Sequence, residues 1–169
     1  KNQTQNKKRN PKSKMSRRVK KEFMSLKTNP PPFIHKISLL GGELFSWRVV
    51  IPGPAKSPYE GGLFEIAVTF ETSYPMKPPN VKFITPVFHP NVKDDKICLE
   101  MLHKWLPKYK MLNILEYLYS MLSDINEDST PLRPEILHLY KTDKDKFTAA
   151  AKDFTAKNKW VEDEEDAED

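Results

Sequence analysis

Apolar residues along this chain follow two rhythms, strand-like in the first half and helical in the second, after one opening helix. Val19, Phe23 and Leu26 are spaced four and three apart behind Ser16, a hydroxyl cap, and this predicts one face of a helix beginning near Ser16. Pro30-Pro31-Pro32 must stop it, because proline lacks the amide hydrogen a helix needs. Short runs punctuated by turn formers come next. Ile34 to Leu40, Phe45 to Ile51, Leu63 to Phe70 and Val81 to Ile84 read as strands. Between them lie Gly41-Gly42, then Pro52-Gly53-Pro54 with Gly61-Gly62, then Tyr74-Pro75-Met76-Lys77-Pro78-Pro79.

From Pro86 to about Tyr109 little regular pattern is visible, apart from a short apolar stretch at Cys98. A segment of this length without clear structure more often serves function than idles. Helical spacing returns with Met111, Leu112, Ile114, Leu115, Leu118, Met121 and Leu122, a stripe wide enough to be buried on most sides. Thr130-Pro131 reads as a helix start, a cap followed by proline in the first turn. Pro134 to Tyr140 reads as a short helix, and another begins near Asp143 with Phe147, Ala150, Ala151 and Phe154 facing inward. Strands early and helices late predict an α+β fold rather than alternating α/β units.

A chain of 169 residues holds one domain with a substantial core. The net charge of +5 conceals an asymmetry, since residues 1–21 contain no acid and residues 162–169 are acidic apart from Ala167. Such runs seldom fold by themselves, so the expected division is a disordered basic arm (1–14), a folded core (15–160) and an acidic tail (161–169). The arm suits an acidic protein surface or a nuclear import signal better than nucleic acid, because no aromatic residue is interleaved before Phe23. One cysteine allows no internal disulfide and no zinc pattern. No apolar run resembles a signal peptide or a membrane span, and the expected setting is the cytoplasm and/or nucleus, with a monomer as the default state.

A lone cysteine between Ile97 and Leu99 is more often a small buried hydrophobe than a catalyst. Its setting changes that weighting. Cys98 stands in the irregular segment, seven residues after Asn91 in His89-Pro90-Asn91. A thiol can carry an acyl group as a thioester, and an asparagine amide can donate to the oxyanion formed when that ester is attacked. His89 is the nearest candidate for a base in a cysteine-protease arrangement, but no substrate-cleft pattern accompanies it. His35, His103 and His138 read as surface or packing residues.

Several stretches then fall in a telling order: Ser57-Pro58-Tyr59-Glu60-Gly61-Gly62-Leu63-Phe64, Tyr74-Pro75-Met76-Lys77-Pro78-Pro79, His89-Pro90-Asn91, Ile97-Cys98-Leu99-Glu100, Trp105, Pro134-Glu135-Ile136 and Tyr140-Lys141-Thr142-Asp143. From about Ser16 to Trp160 the chain resembles a ubiquitin-conjugating enzyme, of the small single-domain type that serves many RING and HECT ligases. The resemblance implies the family's fold: an N-terminal helix, a four-stranded antiparallel sheet, then C-terminal helices. It also implies that Cys98 accepts ubiquitin as a thioester from the activating enzyme and passes it to a substrate lysine or a ligase cysteine. No cofactor or metal is implied. Asn91 takes the place of the residue that stabilises the oxyanion, with pinning of the active-site loop as the other role open to it. His89 and Pro90 order the turn that presents it. Asp128, Ser129 or Thr130 occupies the gate through which an attacking lysine is deprotonated. Arg17, Lys21, Met76, Pro107 and Lys108 fall on the ligase-docking surface.

Departures from the family pattern keep two alternatives in view, a conjugating enzyme for another ubiquitin-like modifier and a catalytically weak module that binds ubiquitin or a ligase. The spacing from Asn91 to Cys98 and from Cys98 to Trp105 is one residue shorter than in close relatives, and the loop from Asp124 to Pro131 is one longer. The usual glycine before Ile97-Cys98 is missing, so Asp94 or Asp95 is expected to take any left-handed turn conformation. Leu106-Pro107-Lys108 replaces a usual Ser-Pro-Ala, and Met76 a frequent phenylalanine, which predicts a narrower or shifted choice of ligases.

Overall fold

A computed structural model describes residues 11–162, with side chains from Lys14 onward. Its first helix, α1 (Pro11–Thr28), is already formed at Pro11, ahead of the start expected near Ser16. Met15, four residues before Val19, extends the buried stripe of Val19, Phe23 and Leu26 by one turn. Residues 11–14, expected in the disordered arm, are therefore helical. The rest of the arm and the tail beyond Glu162 lie outside the described residues.

Four strands follow as an antiparallel meander: β1 (Lys36–Leu39), β2 (Ser46–Pro52), β3 (Leu63–Thr69) and β4 (Asn80–Phe83). The β1–β2 connection includes a single 3-10 turn at Leu40–Gly42, where φ of 58° at Gly41 and 72° at Gly42 needs residues without a Cβ. Register pairs Trp47 with Val68 and Ile66 with Phe83, so one face of the sheet is continuously apolar. Trp47, Val49, Ile51, Phe64, Ile66, Val68, Val81 and Phe83 are all buried on it. Helix α3 (Met111–Ser123) contributes Met111, Ile114, Leu115, Leu118 and Leu122 to the same core. Phe23 meets Trp47 edge-on at 5.3 Å, which ties α1 to this core too.

The segment read as irregular holds three small elements. A hairpin of β5 (Val92–Lys93) and β6 (Lys96–Ile97) is followed by one helical turn, α2 (Glu100–His103). Strands of two residues cannot display a period of two, which is why the pattern hid them. The hairpin turns at Asp94-Asp95, and Asp94 takes the left-handed conformation with φ of 53°. Asp95 pairs with Lys82 at 2.7 Å and fastens the turn to β4.

The last two helices are α4 (Pro134–Thr142) and α5 (Lys144–Asn158). Thr130-Pro131 does not start a helix, contrary to the expectation. Pro134 disfavours helical geometry at Arg133, whose φ of −128° and ψ of 83° are not helical, so a helix begun at Pro131 would break within one turn. Pro134 itself takes the first helical position. Asp143 caps α5 by accepting the Lys146 amide at 3.0 Å, and Phe147, Ala151 and Thr155 are the residues it buries. An N-terminal helix, a four-stranded antiparallel sheet and C-terminal helices make the α+β arrangement that was expected. Among the described residues no helix is long and apolar enough to cross a membrane.

Candidate active site

His89 organises the ground on which Asn91 and Cys98 stand. It is fully buried, and both ring nitrogens are committed. Nδ1 accepts the Asn91 amide at 2.9 Å, so Nε2 carries the proton and donates to the Met121 carbonyl of α3 at 3.0 Å. With both nitrogens engaged, this imidazole is not free to act as a base for the thiol. Burial pushes its pKa down to about 4. Tyr59 braces the preceding residue by donating its hydroxyl to the Phe88 carbonyl at 2.7 Å, and Ser57 closes the turn that holds Tyr59.

The neutral buried His89 makes stability depend on pH with a definite sign. An unfolded histidine takes a proton near pH 6.5, whereas the native one resists until about pH 4. The unfolded state thus binds more protons between those values. The contribution of His89 is complete above pH 6.5 and is lost as pH falls, up to about 3 kcal/mol. Urea unfolding at pH 7.5, 5.5 and 4.5 should show this slope, and His89→Gln should be flatter across the window. Equal slopes in the two proteins would exclude the effect.

From that base Asn91 reaches in two directions. Its carbonyl accepts the Cys98 amide at 2.9 Å, closing the β5–β6 hairpin. The tight turn at Asp94-Asp95 lets the short Asn91–Cys98 spacing close in this way. Its side-chain amide, only 5% exposed, meets the Ser129 hydroxyl, with Nδ2 at 3.2 Å and Oδ1 at 3.3 Å. Cys98 is half-buried and carries a free thiol, while Leu99 behind it anchors the backbone in the core.

A cleft of about 850 Å³ brings together Asn91, Cys98, Asp128, Ser129 and Thr130. Its acidic character comes from Asp128 together with Glu100, Asp124 and Glu127. Ser129 is the gate candidate that touches Asn91. Asp128 and Thr130 are exposed, and the Asp128 amide is held by the Asn126 side chain at 3.0 Å. The gate loop is also tied down from behind, where the Arg133 amide donates to the Pro90 carbonyl at 2.9 Å. Pro90 is buried beneath the site, as its neighbour His89 is. Among the described residues no group of three or more His, Cys, Asp or Glu side chains could hold a metal ion.

The other predicted residues lie on three segments away from this cleft. Arg17, Lys21 and Lys108 are exposed, Pro107 is half-buried, and Met76 is 73% exposed. Trp105 joins two of these segments by donating its indole N–H to the Pro75 carbonyl at 2.8 Å. Arg18 joins the third by donating to the Tyr109 carbonyl at 2.6 Å.

Sequence reasoning missed three supporting groups. The Met121 carbonyl and the Arg133 amide act through backbone, so their side chains carry no signal. Glu22 did leave one, a carboxylate placed three residues after Val19 on the apolar stripe of α1. With the fold and the cleft in place, the sequence also matches the family profile described as ubiquitin-conjugating enzyme over residues 18–155. The chain belongs to this family. Membership brings a transferase role in ubiquitin conjugation and dealings with ubiquitin, an activating enzyme and ligases in general.

Proposed function

We propose that this protein carries ubiquitin as a thioester on Cys98 and delivers it to a substrate lysine or a ligase cysteine, in the cytoplasm and/or nucleus. The observation that carries the reading is the closure of the Asn91 carbonyl on the Cys98 amide at 2.9 Å, within a cleft that both side chains line. In the first step the Cys98 thiolate attacks the carbonyl carbon of the ubiquitin C-terminal glycine, held as a thioester on the activating enzyme. The activating enzyme's sulfur leaves as a thiolate. In the second step a lysine amine or ligase thiolate attacks the new thioester, the Asn91 amide donates to the oxyanion, and the Cys98 sulfur leaves.

An incoming lysine is drawn to the acidic cleft as a cation and must lose its proton before attack. In this reading Asp128, an exposed residue that lines the cleft, attracts and deprotonates it, and Ser129 orients the Asn91 amide. No cofactor takes part, because the acyl group arrives already activated. Arg17, Lys21, Met76, Pro107 and Lys108 form the ligase-docking surface, with Met76 filling an apolar pocket on the ligase and Lys108 narrowing the choice of partners.

Incubation with activating enzyme, ATP and ubiquitin should give one adduct that disappears on reduction. A parallel incubation with other ubiquitin-like modifiers and their own activating enzymes should give less. Faster charging with another modifier would transfer the reading to that modifier. Absence of any adduct would leave a binding module.

A further inference from the structure

Glu22 is a carboxylate in an apolar setting, 9% exposed, and it accepts hydrogen bonds from three separate segments of the chain. Arg18 Nε donates to Oε1 at 2.8 Å from one turn back on α1. The Tyr74 hydroxyl donates to the same oxygen at 2.7 Å, from the loop that leads to Met76. The Met111 amide donates to Oε2 at 2.8 Å, from the first residue of α3, where a helix has an unpaired N–H. Arg18 completes the node. It bonds the Tyr109 carbonyl at 2.6 Å and lies over the Tyr74 ring at 5.2 Å.

All three groups facing Glu22 are donors. Only a carboxylate, with no hydrogen of its own, satisfies them together. The segments they belong to are those that bear Arg17 and Lys21, Met76, and Pro107 with Lys108. The helix that starts at Met111 also ends beside the cleft, where the Met121 carbonyl holds His89. Glu22 takes no part in the chemistry at Cys98.

We propose that Glu22 is the positioning residue that sets the relative placement of the three ligase-docking segments. This rests on the docking surface assigned under the proposed function, and it adds the group that gives that surface its shape. Removing the charge separates the segments without touching any exposed docking side chain. In Glu22→Gln, if the amide oxygen keeps Arg18 and Tyr74, the NH2 points a donor at the Met111 amide and the first turn of α3 loses its acceptor. Tyr74→Phe is the milder variant, removing one donor while keeping the ring.

Hydrogen exchange and lysine discharge together test this. In Glu22→Gln, the non-proline amides of residues 74–77 and 105–113 should exchange about tenfold faster, while those of Val92 to Cys98 keep wild-type rates. Discharge of pre-charged protein to free lysine should also stay at the wild-type rate. With an isolated RING domain added, the concentration giving half-maximal stimulation should rise about tenfold at an unchanged maximal rate. Tyr74→Phe should show the same pattern, smaller.

Unchanged exchange in the two loops overturns the proposal. Parallel loss of protection in the Val92–Cys98 hairpin, or of unassisted discharge, overturns it too by making Glu22 a general stability residue. So does a RING response equal in wild type and variant, including none in either. Failure of the wild type to charge at all would instead strike the Cys98 reading, and the exchange result would still be readable.

Discussion

Cys98→Ser is expected to replace a reducible ubiquitin adduct with, at most, one that survives thiol treatment, and Cys98→Ala to give none. Serine keeps the geometry and changes the atom, so an adduct on it is an oxygen ester that thiols do not readily release. Transfer through it should fall by at least about three orders of magnitude, since a hydroxyl without a base is a weak nucleophile. Stability should hardly change. The thiol is half-buried at the cleft, and the fixed part of the residue is its backbone, held by the Asn91 carbonyl and by Leu99 in the core. Urea unfolding should therefore give midpoints close to wild type for both variants. Cys98 is the chain's single cysteine, so a reducible adduct persisting in Cys98→Ala would refute the assignment outright.

Asn91→Ala should lower discharge to free lysine by about a hundredfold, the size seen when one oxyanion donor is removed, while charging of Cys98 continues. Oxyanion stabilisation and pinning of the gate loop make different predictions for Ser129. The Asn91–Ser129 contacts are long, at 3.2 and 3.3 Å, and Ser129 is partly exposed, so they hold the loop weakly. The loop has a firmer tie in the Arg133 amide on the Pro90 carbonyl at 2.9 Å. Ser129→Ala should then slow discharge by no more than about threefold, because the Arg133–Pro90 tie still holds the loop when these two long contacts are lost. Single-turnover discharge of pre-charged protein measures both. A Ser129→Ala defect as large as that of Asn91→Ala would make loop pinning the main role of the asparagine.

What the sequence disclosed and what it hid divide along physical lines. The strands β2 to β4 and helix α3 were legible because their apolar positions recur at strand or helix spacing, and β1 because turn formers bracket a short apolar run. The β5–β6 hairpin was not, since two-residue strands are specified by a turn at Asp94 and by backbone bonds from Asn91. Thr130-Pro131 misled because local cap chemistry is overridden by Pro134, which forces Arg133 out of helical geometry. The start of α1 was placed late because a serine was read as a cap, when Met15 behind it was already part of the buried stripe. Cys98 and Asn91 could be singled out as candidates by their chemistry and spacing. That Asn91 holds the Cys98 amide through its own carbonyl could not, because backbone partners leave no trace in side-chain identity.

Asn91 presents its side chain to the cleft while its main chain grips Cys98, so the two groups share one mounting. The fixed points of that mounting are at the hairpin's base: the Asn91–Cys98 closure and the Asn91–His89 bond. The tip at Asp94-Asp95 is the shortest turn that lets those bonds form, and neither bond involves a residue of the tip itself. That tip can therefore be lengthened but not shortened, and residues can be inserted there while the sulfur and the amide keep their separation. The short spacing is a change made at the turn, outside the two bonds that mount the site. A surface tag or an altered recognition sequence spliced in between Lys93 and Lys96 would be carried by the enzyme without retuning it.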